Sequence, residues 1–355
     1  MFNNPDAWFI IFGDRAKYMT KGPSNLPVVA ITMGDAAGIG PEITIKALAA
    51  GEFAEKCRCV IVGDRACLLR FATELGIDIE LTAFDVGATG QNVSVLDLKN
   101  LPDEFTIGVD AAVTGKASAE YIEAAVGLWR ENKVDAICTA PISKKALALG
   151  GYNYPGHTEF LAELTATTKF AMSFFGGDLR VVLLSTHLSL RNALDLVKKE
   201  PLIDLIRFSS TEFQKLLKRP VSLAVAGLNP HASEDGMFGG EENDEIAPAI
   251  EYCRETEGIN VHGPFSPDTV FVRASRGEFD AVVALYHDQA TIPVKALAFG
   301  SAVNVTLGLP LIRTSVDHGT AFDIAGRSVA DPSSMKAAIA LAADLAFRSQ
   351  RSAHI

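Results

Sequence analysis

One pattern restricts the fold more than any other: short, wholly apolar runs alternate with helical stretches along most of the chain. Residues 27–33 form the first run, which ends at Gly34-Asp35 and a glycine-rich turn. Pro41 then stands where a helix would begin, with Glu42 in its first turn. The same succession recurs as a strand over 59–62 with a helix over 65–75, and as a helix over 117–131 leading into a strand over 134–139. Further strands are predicted at 170–174, 179–185, 221–226 and 281–285. Further helices are predicted at 201–218, 244–256, 289–297 and 332–348. Strands apolar at every position are buried on both faces, as in a sheet covered by helices on both sides. The expected fold is therefore α/β with a largely parallel sheet.

A chain of 355 residues is long enough for two domains, although no change in composition marks a boundary. The expected division is an outer α/β domain from residues 28–150 plus 300–355, and a central one from residues 151–299. Residues 1–27 are expected to be a disordered extension, or to precede the true start, with Met19 as an alternative start. Their short apolar patch at 7–12 has neither a basic leading region nor a small-residue cleavage site.

The formal net charge of −11 argues against nucleic acid or anionic membranes as partners. No apolar stretch reaches the length of a membrane span. The five cysteines (Cys57, Cys59, Cys67, Cys138 and Cys253) form no zinc-like pairing. They read as buried free thiols, which suits a reducing cytoplasm.

Three of the seven histidines share one context. Leu184-Ser185-Thr186 runs into His187, Leu228-Asn229-Pro230 into His231, and Leu285-Tyr286 into His287. Each follows the carboxyl end of a predicted buried strand, the edge where α/β sheets bind ligands. Converging imidazoles there would hold a divalent metal with positions left for a substrate. The alternative is three unrelated strand-end histidines, since their spacing matches no short zinc motif. Asp288 could orient the His287 imidazole or cap the following helix.

His157 and Thr158 differ: they open a helix after Pro155-Gly156, where free backbone N–H groups favour an anion such as phosphate. Lys295, Asn304 and Arg313 follow the third histidine among apolar neighbours. Arginine suits bidentate phosphate or carboxylate recognition, and lysine supplies a point charge or a tunable acid. His262 and His354 have no supporting context and are assigned to the surface. The turn Gly38-Ile39-Gly40-Pro41 lacks the third glycine of a dinucleotide fingerprint, so on its own it reads as a tight strand-to-helix turn.

Taken together these motifs resemble the 4-hydroxythreonine-4-phosphate dehydrogenase (PdxA) family. The resemblance is carried by Met33-Gly34-Asp35-Ala36-Ala37-Gly38-Ile39-Gly40-Pro41-Glu42, Gly156-His157-Thr158-Glu159-Phe160, Leu228-Asn229-Pro230-His231-Ala232, Asp268-Thr269-Val270-Phe271, Tyr286-His287-Asp288-Gln289, and Arg313-Thr314-Ser315-Val316-Asp317-His318-Gly319-Thr320-Ala321. It covers about residues 28–348. It implies an isocitrate/isopropylmalate dehydrogenase-like fold of two α/β domains with a cleft between them. It further implies NAD or NADP lying along His318, Gly319, Thr320, Ala321 and Asp323. A divalent metal (zinc, magnesium, manganese, cobalt or nickel) would sit on His187, His231 and His287, and substrate on His157, Thr158, Lys295, Asn304 and Arg313. Lys295, Asp268 and Asp288 are the implied proton-transfer residues.

The implied partners are a small phosphorylated acid and a second copy of the chain, which would supply the third metal histidine, His287. The implied reaction is oxidation and decarboxylation of a 4-phosphorylated hydroxy acid. Ala290 and Ala36 depart from the glycine and proline usual in the family, and neither removes a ligand. The segment from Gly151 to Thr158 looks closer to the branch acting on 4-phosphorylated threonate or erythronate, in sugar-acid catabolism, than to the vitamin B6 branch. Two other activities compete: a cis-dihydrodiol carboxylate dehydrogenase of the same fold, and a three-histidine metallohydrolase. A non-catalytic binding protein is disfavoured by the intact ligand set.

Overall fold

The apolar runs become the strands of one sheet. The computed structural model describes residues 26–85, 93–298 and 300–352. The predicted leading extension, apart from its last two residues, lies outside these, as does His354. The strands are β1 (Val28–Thr32), β2 (Arg58–Gly63), β3 (Thr82–Ala83), β4 (Val93–Asp97), β5 (Ala136–Thr139), β6 (Ala171–Gly176), β7 (Leu179–Leu183), β8 (Leu223–Ala226), β9 (Val261–Phe265), β10 (Ala281–Ala284), β11 (Val303–Leu307) and β12 (Ile312–Ser315). They lie side by side in the order β3-β4-β2-β1-β5-β12-β11-β6-β7-β10-β8-β9. The helices are α1 (Gly40–Ala49), α2 (Arg65–Glu74), α3 (Ala112–Arg130), α4 (Lys144–Leu149), α5 (His157–Leu164), α6 (Leu190–Asp195), α7 (Lys199–Leu217), α8 (Ala247–Glu255), α9 (Val270–Ser275), α10 (His287–Leu297) and α11 (Ser333–Ser352).

The sheet is α/β and largely parallel, as expected, but it reverses direction at its centre. Strands β3, β4, β2, β1, β5 and β12 all run one way. β11 is antiparallel to β12 and to β6, and β6 is antiparallel to β7. β10, β8 and β9 then follow β7 in parallel. The carboxyl ends of β7, β8, β9 and β10 therefore lie at the opposite edge of the sheet from those of β1, β5 and β12.

Burial follows the sequence pattern. β5 and β10 have no exposed position, as strands covered on both faces require. All five cysteines are buried and free. Burial pushes the Cys67 and Cys138 thiols up to about 12, so they stay protonated and take no part in nucleophilic chemistry.

Helices α3 and α4 pack so closely that a Cβ on Gly115 would stand 1.9 Å from the Ala146 carbonyl oxygen. Gly127, on the same helix, faces open space. Gly115→Ala is therefore expected to cost roughly 1–3 kcal/mol or more through overpacking. Gly127→Ala should add about 0.5–1 kcal/mol through helix propensity. Urea unfolding of the two variants checks the sign of each.

Candidate active site

The strand reversal divides the predicted site residues into two groups. His187, His231 and His287 follow the carboxyl ends of β7, β8 and β10, and Asp268 follows β9, so all four share one edge. His187 and His287 come together, with ring centroids 6.1 Å apart. His287 opens α10, and its Nδ1 meets Asp288 Oδ1 at 2.7 Å, which leaves Nε2 turned to other partners. A carboxylate on one ring nitrogen is the usual way to fix a metal-binding imidazole. Asp268 accepts a hydrogen bond from the Ser266 hydroxyl at 2.5 Å and is exposed.

His231 lies in a turn with an unusual backbone. His231, Ala232, Ser233, Glu234 and Asp235 all have positive φ, between 45° and 70°. Each such non-glycine residue costs of order 1 kcal/mol, so the turn exists only because its surroundings impose it. Buried Glu242 does much of this, accepting the backbone N–H groups of Leu228 and Asn229 at 2.7 Å and the Asn229 side-chain amide at 2.8 Å. Ser233 donates its hydroxyl to the Gly239 carbonyl. The sequence analysis did not single out Glu242; its signal was a carboxylate in the acidic run 241–245, just past the loop.

The second group centres on β5, β11, β12 and the start of α5. Arg313 is buried and, among the described residues, forms no ion pair, although the Glu159 carboxylate is near enough to favour its charge. Its Nη1 donates to Thr306 at 3.1 Å and its Nη2 to Thr139 at 2.8 Å, while Nε makes no hydrogen bond within the chain. Burial lowers the guanidinium to about 10, which leaves it charged near neutrality. His157, at the start of α5, is half-buried, with its Nε2 shut off from solvent and unpaired. Burial first, and then the charge of Arg313, hold this imidazole well below its usual value, so it is neutral at pH 7. Asn304 has a buried, unpaired Oδ1. Thr158 stands beside His157 in the first turn of α5, half-buried. Thr139 and Thr306 were missed by sequence reasoning. Thr306 was legible in principle, because Val303-Asn304-Val305-Thr306-Leu307 alternates apolar and polar, and the polar positions face Arg313 across the β11–β12 pair.

Lys295 is exposed near the end of α10. At 1.5 Å rise per residue it stands about 12 Å along the helix from His287. Val294 and Ala298 flank it and pack at Gly176, the last residue of β6.

The segment implied as cofactor-binding meets the glycine-rich turn at the carboxyl ends of β1 and β12. Ile39 N–H donates to the Thr320 carbonyl at 3.0 Å, and a Cβ on Gly38 would stand 2.9 Å from Thr320. Glycine at 38 is thus required by this close approach. His318 Nδ1 lies 3.0 Å from the Gly319 carbonyl, Ala321 has a φ of 45°, and Asp323 is exposed. A Cβ on Gly319 would meet nothing within 4 Å, so the segment opens outward as a nucleotide cradle would. Asp35 is fully buried beside this turn. One of its oxygens accepts Ala37 N–H at 2.9 Å, and the other makes no hydrogen bond.

The histidine edge fits a metal in the chemistry of its donors. Among the described residues, however, no group of three histidine, cysteine, aspartate or glutamate side chains is close enough to hold one. The Arg313 group fits an anion, since a buried cation with neutral hydrogen-bond partners needs a negative charge from outside.

Comparison with known proteins bears on the family and the fold. The family model for pyridoxal phosphate biosynthetic protein PdxA matches residues 55–342. The D-threonate 4-phosphate dehydrogenase of Cupriavidus necator is 44% identical over 328 residues, which is 91% of this chain and 98% of the relative. The crystal structure of 4-hydroxythreonine-4-phosphate dehydrogenase from Klebsiella pneumoniae is 42% identical, with a TM-score of 0.83 over 90% of this chain and 99% of that one. A terephthalate 1,2-cis-dihydrodiol dehydrogenase structure from Burkholderia xenovorans LB400 is more distant, at 32% identity and a TM-score of 0.62 over 90% of this chain and 98% of that one. The fold and these full-length matches define a dehydrogenase acting on CH–OH groups. Within that class the chain belongs to the PdxA family.

The neutral His157 ring predicts a pH dependence. The unfolded chain takes up this proton near pH 6.5 and the folded one only well below that. The ring's contribution to stability is complete above about pH 6.5 and is lost as the pH falls toward the native value. Unfolding midpoints of wild type and His157→Asn, compared from pH 7 downward, should show a shallower acid loss in the variant.

Proposed function

We propose that the protein oxidises a small 4-phosphorylated hydroxy acid with NAD or NADP and releases carbon dioxide from the keto acid formed. The observation that carries this reading is Arg313: a buried, charged guanidinium held by two threonine hydroxyls, with no carboxylate in ion-pair contact among the described residues. A phosphate matches it, and His157, Thr158 and Asn304 supply neutral hydrogen-bonding groups around that phosphate. The same residues weigh against the dihydrodiol carboxylate reading, whose substrate has no phosphate. The 44% identity to a D-threonate 4-phosphate dehydrogenase, against 42% to a 4-hydroxythreonine-4-phosphate dehydrogenase, leans toward the phosphothreonate branch.

When bound, nicotinamide would accept the hydride, and a divalent metal would polarise the reacting oxygens as a Lewis acid. Arg313 and the amino end of α5 would fix the phosphate, and with it the position of the hydroxyl-bearing carbon. Lys295, free of ion pairs among the described residues, would donate the proton taken up after carbon dioxide leaves. Asp288 would orient the His287 ring, and Asp268 would take part in proton transfer from the histidine edge.

We further propose that the site is shared between two copies of the chain. Among the described residues of one chain no three ligand-type side chains come together, so a second copy would supply the third histidine, His287, opposite His187 and His231. Exposed apolar residues beside each histidine, Leu188, Leu190, Met237, Phe238 and Ile292, support a buried interface there. The two proposed domains meet between β11 and β6, which leaves seven adjacent strands in the outer domain and five in the central one.

Reduced-cofactor formation should be fastest with 4-phospho-D-threonate, and slower with 4-phosphohydroxythreonine or the unphosphorylated acid. Equal rates without the phosphate would sink the reading. Arg313→Met should lower kcat/KM by about 2–5 kcal/mol, since it removes a buried charge from its partner, while nucleotide binding followed by fluorescence stays unchanged. Chelation should abolish turnover, and manganese(II) or zinc(II) should restore it. Turnover that survives chelation removes the metal from the proposal.

A further inference from the structure

Residues 316–332, which include the positions read as cofactor-binding, form neither helix nor strand. The place of this segment is therefore set by what holds it. Near its start the Thr320 carbonyl accepts the Ile39 N–H at 3.0 Å. In its middle a Cβ on Gly108 would stand 2.9 Å from the Phe322 carbonyl oxygen, and one on Gly326 would stand 3.1 Å from Ile107. At its far end two charged side chains of α1 take hold. Lys46 Nζ donates to the carbonyls of Ser328 at 3.1 Å and Ala330 at 2.8 Å, and to Glu42 Oε1 at 2.6 Å. The same Glu42 oxygen accepts the Ala330 N–H at 2.9 Å.

An ion pair four residues apart on a helix is ordinarily an exposed contact that adds little. This pair differs. Glu42 is only 1% exposed, and a carboxylate taken out of water needs good partners to offset that loss. An ammonium carries three N–H donors, and Lys46 directs two of them to carbonyls 282 and 284 residues away in sequence. The pair thus serves the segment it grips more than its own helix. Residues 326–329 are exposed, so no buried side chain anchors them. Polar bonds from α1 do so instead, and they hold Ser328 in a left-handed conformation with a φ of 61°.

We propose that Glu42 and Lys46 are positioning residues that clip the far end of this segment to α1, so that the nucleotide meets a cradle already in place. This rests on the reading of His318, Gly319, Thr320, Ala321 and Asp323 as cofactor-binding. Glu42 is shut off from solvent and Lys46 has all three donors engaged, so both act through the segment they hold. Without the clip the segment has a choice of positions, and the apparent affinity for nucleotide falls with the fraction correctly placed.

The test is titration of NADH and NADPH, followed by fluorescence, into the full-length chain as wild type, Lys46→Met, and the double variant Glu42→Gln with Lys46→Met. Lys46→Met removes all three donors but leaves the Glu42 carboxylate buried without its cation, which endangers folding. The double variant removes both charges at nearly constant volume and keeps the question decidable. Each variant that folds is expected to bind the preferred dinucleotide roughly 10- to 100-fold more weakly, the loss that goes with a hydrogen bond from a charged donor. Its kcat should return toward wild type at saturating dinucleotide, with KM for the phosphorylated acid unchanged. Hydrogen–deuterium exchange should quicken over 316–332 while α3 keeps its wild-type rates. Quickening throughout would mark a general loss of stability and overturn the assignment. Wild-type nucleotide affinity in a variant that folds also overturns the clip, and leaves the cofactor reading intact. A wild-type chain that binds neither dinucleotide overturns the cofactor reading, and the role of the clip with it.

Discussion

The antiparallel seam formed by β12, β11, β6 and β7 determines where everything else can lie. A wholly parallel sheet would gather every strand's carboxyl end, and every loop after it, on one edge. Three antiparallel pairings in the middle turn the second half of the sheet over. The histidines then lie on one edge, and the glycine-rich turn with its partner Thr320 on the other. α10 runs back across the sheet between them, with His287 at its start and Lys295 near its end.

Within that frame the polar groups are built by neutral contacts. Arg313 is hydrogen-bonded by hydroxyls rather than by carboxylates. Its charge, together with burial, keeps His157 unprotonated, and the two can sit together without repulsion. On the other edge, rigidity comes from carboxylate and amide side chains that collect backbone N–H groups, as Glu242 does for Leu228 and Asn229. Such contacts let the chain keep five consecutive left-handed residues from His231 to Asp235.

Much of this was legible in the sequence, for identifiable reasons. Strands such as β1, β2 and β10 are apolar at nearly every position because both faces are buried, and that signal is strong. β9 was not foreseen, since Val261-His262-Gly263-Pro264-Phe265 breaks the pattern; as the last strand of the sheet it has a free side where a proline does no harm. β11 was hidden for the opposite reason: Asn304 and Thr306 interrupt the apolar run because one face of the strand lines the Arg313 pocket. The histidine contexts marked the correct strand ends, but no local pattern carries the direction of a strand within the sheet. The two-edge arrangement was therefore invisible before the pairings were known. Thr139 and Glu242 went unnoticed because their partners lie far off or around a loop, and ordinary threonines and glutamates look the same in sequence.

The sharing of a centre between copies has a genetic consequence. If each centre takes His187 and His231 from one copy and His287 from the other, a chain without His231 and a chain without His287 would each be inactive alone. Mixed together, they would leave every hetero-pair one centre with all three histidines. Two null alleles of this gene would complement each other within one cell, with activity capped at about a quarter of normal under random pairing.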